Sequence, residues 1–262
     1  MASATSKWEL YDRLIEGVPE GIGVLDCCLG LHWSYVEAEC GMGIGHTLRD
    51  GARASSGADP RELDLKTLCS YAKSWNFTEA TLGVAALNAW YAQPERIKAL
   101  GGSWDEETAK GKGSNPFWSL QERCSGKKVA IIGHFPNVNA MAQVADVTVL
   151  ERNCSSGIDT PDSACEYILP EQDFVIMTGT TLTNKTMPRL LELSREATVV
   201  VTGPSAVPAA AMEAAGVDIV AGSMVADPEL ATWAIRSYTK SVWRGGIRKF
   251  DLEFGKSQTA TG

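Results

Sequence analysis

A two-part α/β chain is what the sequence predicts, on three observations. Five continuous β-branched runs all fall in the second half: KKVAIIG (127–133), VTVLER (147–152), DFVIMTG (173–179), ATVVVTG (197–203) and VDIVAG (217–222). Segments long enough for a crossover helix separate them, and strands that are apolar on both faces belong to parallel sheets covered by helices. Before residue 127 the rhythm differs, with helical apolar spacing alternating with a short-period, glycine-broken stretch, as suits a small α+β unit. The expected layout is an α+β domain over 1–105, a linker over 106–126, a doubly wound parallel-sheet domain over 127–254 and a disordered tail over 255–262.

Taken in order, Trp8, Tyr11, Leu14 and Ile15 stand at helical spacing and the pattern stops at Gly17 and Pro19. Residues 23–45 read as two or three antiparallel strands closed by a glycine turn, Gly41–Gly45. Residues 49–62 form a polar loop, and LDLKTLCSYAKSW resumes helical periodicity. Asn76 followed by Glu79 has the form of a capping box at the head of a helix running to Tyr91, with Ala80, Val84, Ala85 and Leu87 as its packing stripe. Gly83 inside that helix costs about 1 kcal/mol against Ala, which implies a close neighbour on its face. In the second half, Pro188 heads LLELS, AAAMEAAG ends at Gly216, and Asp227-Pro228-Glu229 is an N-cap, a first-turn proline and a first-turn acid.

Of 262 residues, 44% are hydrophobic and 21% charged, an ordinary globular composition. Lys and Arg total 24 against 32 Asp and Glu, a net charge of -8. No excess of cations exists to neutralise a phosphate backbone, so nucleic acid is excluded as a partner. No apolar run approaches the ~18 residues of a membrane span, and MASATSKWELYDRL lacks a signal-peptide core; the chain is expected to be cytoplasmic, with no membrane partner. The seven cysteines include no C-x-x-C pair, which fits reduced thiols better than a disulfide framework. His32, His46 and His134 lie outside helical ligand spacing of one another, so HExxH and finger-type zinc patterns are absent.

Open parallel sheets bind ligands beyond the carboxyl ends of their strands. The residues there are Gly133-His134-Phe135-Pro136, Glu151, Thr178–Thr181, Gly203-Pro204-Ser205 and Gly222-Ser223. His134 is the candidate acid/base or ligating group, while Phe135, Thr180, Thr181, Gly203, Pro204 and Ser205 are candidate ligand contacts, with turn chemistry the plainer alternative for the threonines and Gly203–Ser205. Glu151 lies where an acid hydrogen-bonds a ribose diol, although the bulk of GHFPNV excludes an ordinary pyrophosphate loop. Asn76 and Glu79 sit at a helix N-terminus, which favours anions; Glu79 is read as a carboxylate ligand or general base, with the capping box as the alternative. His32, Glu37, Glu39, Cys40 and His46 cluster in sequence, but a pleated strand sends neighbours to opposite faces and cannot aim all five at one ion.

At KSWNFTEATLGVAALNAWY the chain resembles the signature K-S-W-N-[YF]-x-E-A-x-[IL]-G-[LV]-A-A-[IL]-N-A of the "putative heavy-metal chelation" family. The match continues through Val129 to Pro136, KTMPRLLELS and the Gly203-Pro204 turn. The resemblance implies an enolase-N-terminal-like domain followed by a Rossmann-like domain, with the site in the cleft between them. Matching positions are Lys73, Ser74, Trp75, Asn76, Glu79 and Asn88, then His134, Phe135 and Pro136, then Lys185, Thr186, Pro188 and Arg189; Lys73 and Asn76 join the ligand contacts on this basis. The expected function is heavy-metal chelation, or binding of a small anionic or metal-associated ligand at the interdomain cleft; the cofactor is left unidentified, with a divalent or heavy-metal ion as the first candidate. The alternative is an enzyme on a nucleoside cofactor such as S-adenosylmethionine, held by Glu151. Whether the chain is catalytic, and whether it forms a homo-oligomer, is left open at this stage.

Overall fold

A computed structural model describes residues 7–104, 115–237 and 246–255. Helix α1 (Glu9–Glu16) buries Leu10, Tyr11 and Leu14, as its spacing requires. It leads into a three-stranded antiparallel sheet ordered β1-β2-β3, formed by β1 (Val24–Leu29), β2 (Trp33–Ala38) and β3 (Gly41–His46). The stretch expected as a glycine turn is therefore a full strand, with Gly43 opposite Val36 and Gly45 opposite Ser34. Its alternate glycines share one face, and that face meets a helix backbone.

That helix is α3 (Phe77–Tyr91), reached through α2 (Leu65–Ser70) and a single tight turn, Tyr71–Lys73. In place of the expected stripe, every residue from Ala80 to Ala89 is buried, the condition of a helix enclosed on all sides. A Cβ on Gly43 would stand 2.0 Å from the Ala89 nitrogen, and one on Gly83 2.0 Å from that of Ala72. The neighbour expected at Gly83 is thus the turn before α3, and β3 closes on the opposite side. Asn88, fully buried, donates from Nδ2 to the Ile44 carbonyl at 2.9 Å and the Pro204 carbonyl at 3.0 Å. One side chain of α3 so ties the small sheet to a turn of the large one.

After α4 (Pro94–Ala99), Ser103 bridges Asp251 in the last strand. Of the stretch expected as a linker, 106–114 lie outside the described residues. From Asn115 onward it is α5 (Pro116–Ser119) and α6 (Gln121–Cys124), whose Phe117, Leu120 and Cys124 are buried under the large sheet. The expected disordered tail lies, from residue 256, outside the described residues too.

The second half alternates strands and helices in the sequence β4 (Lys128–Ile132), α7 (Val138–Ala142), β5 (Asp146–Glu151), β6 (Asp159–Pro161), α8 (Cys165–Ile168), β7 (Phe174–Thr178), α9 (Thr180–Thr183), α10 (Met187–Leu193), β8 (Thr198–Thr202), α11 (Ala210–Ala214), β9 (Ile219–Val225), α12 (Pro228–Arg236) and β10 (Ile247–Glu253). The sheet order is β10-β9-β8-β7-β4-β5-β6, all neighbours parallel except the β9–β10 pair. The five β-branched runs are its five central strands, and β6 and β10 are added at the edges. Strand order reverses between β4 and β7, which opens a crevice at that point. Ala130, Ile132, Val175 and Met177 join one apolar cluster, which also contains Leu82, Val84 and Leu87 of α3, while Val129, Ile131, Phe174 and Ile176 join another with α5, α6 and α7. The period-2 alternation of these runs feeds both faces, and the first half packs on one of them. Asp227 caps α12 by accepting from the Leu230 amide at 3.0 Å, as its sequence predicts. No described helix is long and apolar enough to cross a membrane.

Candidate functional site

A cavity of about 880 Å³ opens at the strand-order reversal. Its walls come from the ends of β4, β5 and β7, the segment Asn184–Thr186 and the Gly203-Pro204 turn on one side, and from Trp33, His46, Asp50 and Phe77 on the other. His134, Phe135, Glu151, Thr180, Thr181, Gly203 and Pro204 are thereby brought to one space.

On the β4–β6 side the turns are tied by carboxylates. Glu151 Oε2 accepts from the His134 amide at 2.9 Å and Oε1 from the Asn153 amide at 3.1 Å. The group expected on a ribose diol therefore fastens the turn after β4 to the turn after β5. Asp159 Oδ1 lies 2.8 Å from His134 Nδ1, and its Oδ2 accepts from the Ser155 and Ser156 amides at 2.9 and 2.8 Å. The Ser155 amide and then the imidazole hold the Asp159 carboxyl below the usual carboxylate range. Its side chain is 0% exposed, whereas that of His134 is 39% exposed. Phe135 packs against Phe117 with ring centres 5.0 Å apart and planes inclined at 46°.

Lys185, which also lines the cavity, is the one described non-glycine residue with positive φ, at 67°. Such backbone is strained, and strain of this kind gathers at functional positions. Its ammonium donates to the Ser74 carbonyl and, at 2.7 Å, to the Thr183 carbonyl, and it lies 5.8 Å from the Trp75 ring centre and 5.0 Å from that of Phe77. Among the described residues no carboxylate pairs with it, and burial pushes its pKa down to about 8. Thr181 Oγ donates to the Thr178 carbonyl at 2.8 Å, while the Thr178 and Thr180 hydroxyls lie 3.1 Å apart. Burial, then His32, holds the His46 imidazole on the opposite wall below the usual histidine range.

Four expected site residues are not on these walls. Ser205, 1% exposed, accepts from the His46 amide at 2.9 Å and fixes β3 to a turn of the large sheet. Lys73 pairs with Asp12 of α1. Asn76 caps α3, accepting from the Thr78 and Glu79 amides at 3.0 and 3.4 Å, and donates to the Ala54 carbonyl at 3.1 Å. The segment from Asp50 covers that helix end, and the Phe77 amide donates to the Asp50 carbonyl, so the donors expected to face an anion are occupied. Glu79 does not bond back to Asn76: the Asn76 amide donates to Ser74 Oγ at 3.1 Å, and Ser74 Oγ donates to Glu79 Oε2 at 2.7 Å. The capping box is relayed through a serine. Glu79 Oε1 meanwhile accepts from the Ser56 amide at 2.6 Å. Burial raises the Glu79 pKa, and its serine partners more than offset this, leaving it below the usual value.

Glu79 thus clamps the loop over α3. Glu79→Gln should lower stability by about 1 kcal/mol, or roughly 2–4 °C in a chain of this size, because the amide oxygen can still accept one neutral bond and what is lost is the difference between a charge-assisted bond and an ordinary one. The Ser56 amide should exchange faster with solvent, while anion affinity at the cavity stays within twofold. Because the folded pKa is depressed, the clamp's stabilisation is present above the ordinary glutamate range and is lost as pH falls below it.

The sequence cluster around the small sheet disperses. Glu39 accepts from the Gly23 amide at 3.0 Å, Cys40 donates to the Ala89 carbonyl, and only His46 reaches the cavity. Among the described residues no group of three or more His, Cys, Asp or Glu side chains converges as a metal set would. Cys165, on the cavity wall, is held as a thiol by burial, its pKa raised to about 11. Without a convergent set of ligating side chains among the described residues, these residues do not fit a protein-built chelation centre. Lys185 and Asp159 are the site residues that sequence reasoning left without a role; Asn184-Lys185 before a proline-headed helix was the visible signal for the first.

Profiles of two families, DUF364 and DUF4213, each described as putative heavy-metal chelation, match residues 115–240 and 11–91. An uncharacterized protein of Methanocaldococcus jannaschii is 27% identical over 255 residues, covering 92% of this chain and 94% of its own. The crystal structure of a DUF364-family protein of unknown function from Desulfitobacterium hafniense superposes with a TM-score of 0.84 at 32% identity, covering 94% of this chain and 98% of that one. Another from Pyrococcus horikoshii gives 0.77 at 25% identity, covering 94% and 99%.

Proposed function

The chain belongs to the DUF364 family of putative heavy-metal chelation proteins, and on that premise we propose that its cleft binds a small organic anion, any metal entering as part of that ligand. Lys185 carries the reading. It lines a cavity of about 880 Å³, and its half-buried ammonium, seated on two backbone carbonyls, has no carboxylate counter-ion among the described residues, so it leaves a net positive charge beside a space of ligand size. The hydroxyls of Thr180 and Thr181 and the positive-φ turns at Gly133 and Gly203 surround the same space. A metal chelate brings its own donors, which suits a cleft where no three ligating side chains converge among the described residues. The nucleoside reading has less to stand on, because both Glu151 oxygens already accept backbone amides.

The test is thermal stabilisation and calorimetry with citrate, alone and as its zinc or nickel complex, beside the metals alone. Citrate and its complexes should raise the melting temperature, and at about 100 times Kd the gain is about 2.7 kcal/mol. Stabilisation by the metals alone, with none by citrate, would overturn the reading. Affinity should also depend on pH. The ammonium is complete well below about 8, so citrate binding should be constant from pH 6.5 to 7 and weaken as pH rises through about 8, by at most tenfold per unit for one linked proton.

A further inference from the structure

The imidazole that shares the cavity with Lys185 is held in a way that anion binding does not require. His134 Nδ1 meets the covered carboxylate of Asp159 at 2.8 Å, and Asp159 is fixed in turn by two backbone amides. The His134 amide is fixed by Glu151. An ionised carboxylate at Nδ1 demands a proton on that nitrogen, so the neutral ring presents Nε2 as a lone pair. The ring is 39% exposed, on the cavity wall.

We propose that His134 is a general base acting on the bound anion, with Asp159 as the residue that positions it, and that the ligand class is a small carboxylate with an acidic C–H next to a carbonyl. The inference rests on the anion-binding reading and gives it a reaction. In the step, the ligand's C–H bond breaks, the proton passes to His134 Nε2, and the electron pair stays on the ligand as an enolate. Asp159 remains ionised and faces the imidazolium so formed. Taking a proton from an anion adds negative charge to it, which is feasible beside a cation that already balances the first charge; Lys185 supplies that cation in the same cavity. Return of the proton, or of a solvent deuteron, to the same carbon closes the cycle without any co-reactant.

The experiment uses the full chain labelled with 15N-histidine, with citrate as the anion probe and pyruvate and oxaloacetate as carbon acids in D2O. The expected result is a neutral His134 ring that carries its proton on Nδ1 and is bare at Nε2, an Nε2 resonance that shifts on citrate addition, and loss of the C3–H signals at least tenfold faster than in buffer. His134→Gln should reduce that exchange at least 100-fold. Asp159→Asn should reduce kcat about tenfold with little change in KM and mix the two ring tautomers. A ring bare at Nδ1, an Nε2 resonance unmoved by bound citrate, or no exchange with either carbon acid would overturn the proposal, while citrate binding would leave the anion reading standing. Failure of citrate to bind at all would sink the anion reading; exchange that still depended on His134 would then keep the base assignment alone. The 15N spectrum of the unsubstituted chain decides the tautomer even where a variant does not fold.

Discussion

Gly43→Val should abolish the soluble fold, or lower its stability by more than about 4 kcal/mol, the range reserved for core backbone clashes. A Cβ at this position would lie 2.0 Å from the Ala89 nitrogen, 2.3 Å from the Ala85 carbonyl oxygen and 2.4 Å from the Asn88 carbonyl carbon. All three are backbone atoms of a helix buried throughout its middle, so no side-chain rotamer relieves the contact. The helix would have to move off the strand, and Asn88 would then lose its bonds to Ile44 and Pro204. Overpacking by a methylene in an adaptable core costs roughly 1–3 kcal/mol; two rigid backbones in contact stand above that range. Gly157→Ala is the control, because its Cβ meets nothing within 4 Å and its backbone is ordinary. It should stay within about 0.5 kcal/mol of the parent. Urea denaturation of the three proteins checks both statements, and a folded Gly43→Val of parental midpoint would show that the helix and sheet are not in backbone contact.

The same contact explains why β3 was misread while its neighbours were legible. Glycine is the residue of turns when judged locally, and GMGIG carries three of them. Its alternation of glycine with Met42 and Ile44 is nevertheless strand-like; the reason for the glycines lies 40 residues away in α3, which no local rule sees. The five parallel strands were legible because burial on both faces forces an uninterrupted apolar run. Strand β10, IRKFDLE, pairs with β9 alone among the described strands and mixes charges among Ile247, Phe250 and Leu252, so its composition resembles a surface segment. Asp227 was legible because its proline and acid follow it directly.

The site divided along the same line. His134 and the strand-end turns follow from topology, since a parallel sheet exposes what comes after its strands. Asp159 sits in NCSSGIDTPDSA, which reads as turn chemistry; only the pairing of Asp159 with Val149 brings it beside the strand that ends at Glu151. Glu79 presented the form of a capping box, but a sequence does not say whether the serine at position 74 will take one of the bonds.

Lys185→Met should cost citrate affinity about 10- to 100-fold at pH 7 while leaving melting within a few degrees of the parent. A charge-assisted bond to an anion is worth roughly 1.5–3 kcal/mol, and each 1.4 kcal/mol is tenfold. Methionine keeps the length and the apolar stem that packs near Trp75 and Phe77, so the cavity wall should retain its shape. Two opposing changes act on stability. The carbonyls of Ser74 and Thr183 lose a donor, while a cation held in surroundings that push its pKa down to about 8 is removed. Both effects are damped by solvent at this half-buried position, so neither should dominate. Lys185→Arg should not restore binding, because a planar fork reaches different atoms from a tetrahedral ammonium seated on two carbonyls. The distinguishing result is the pH profile: the parent's loss of affinity through about pH 8 should be absent in Lys185→Met. Persistence of that inflection in the variant would assign the charge that meets the anion to another residue and remove Lys185 from the site.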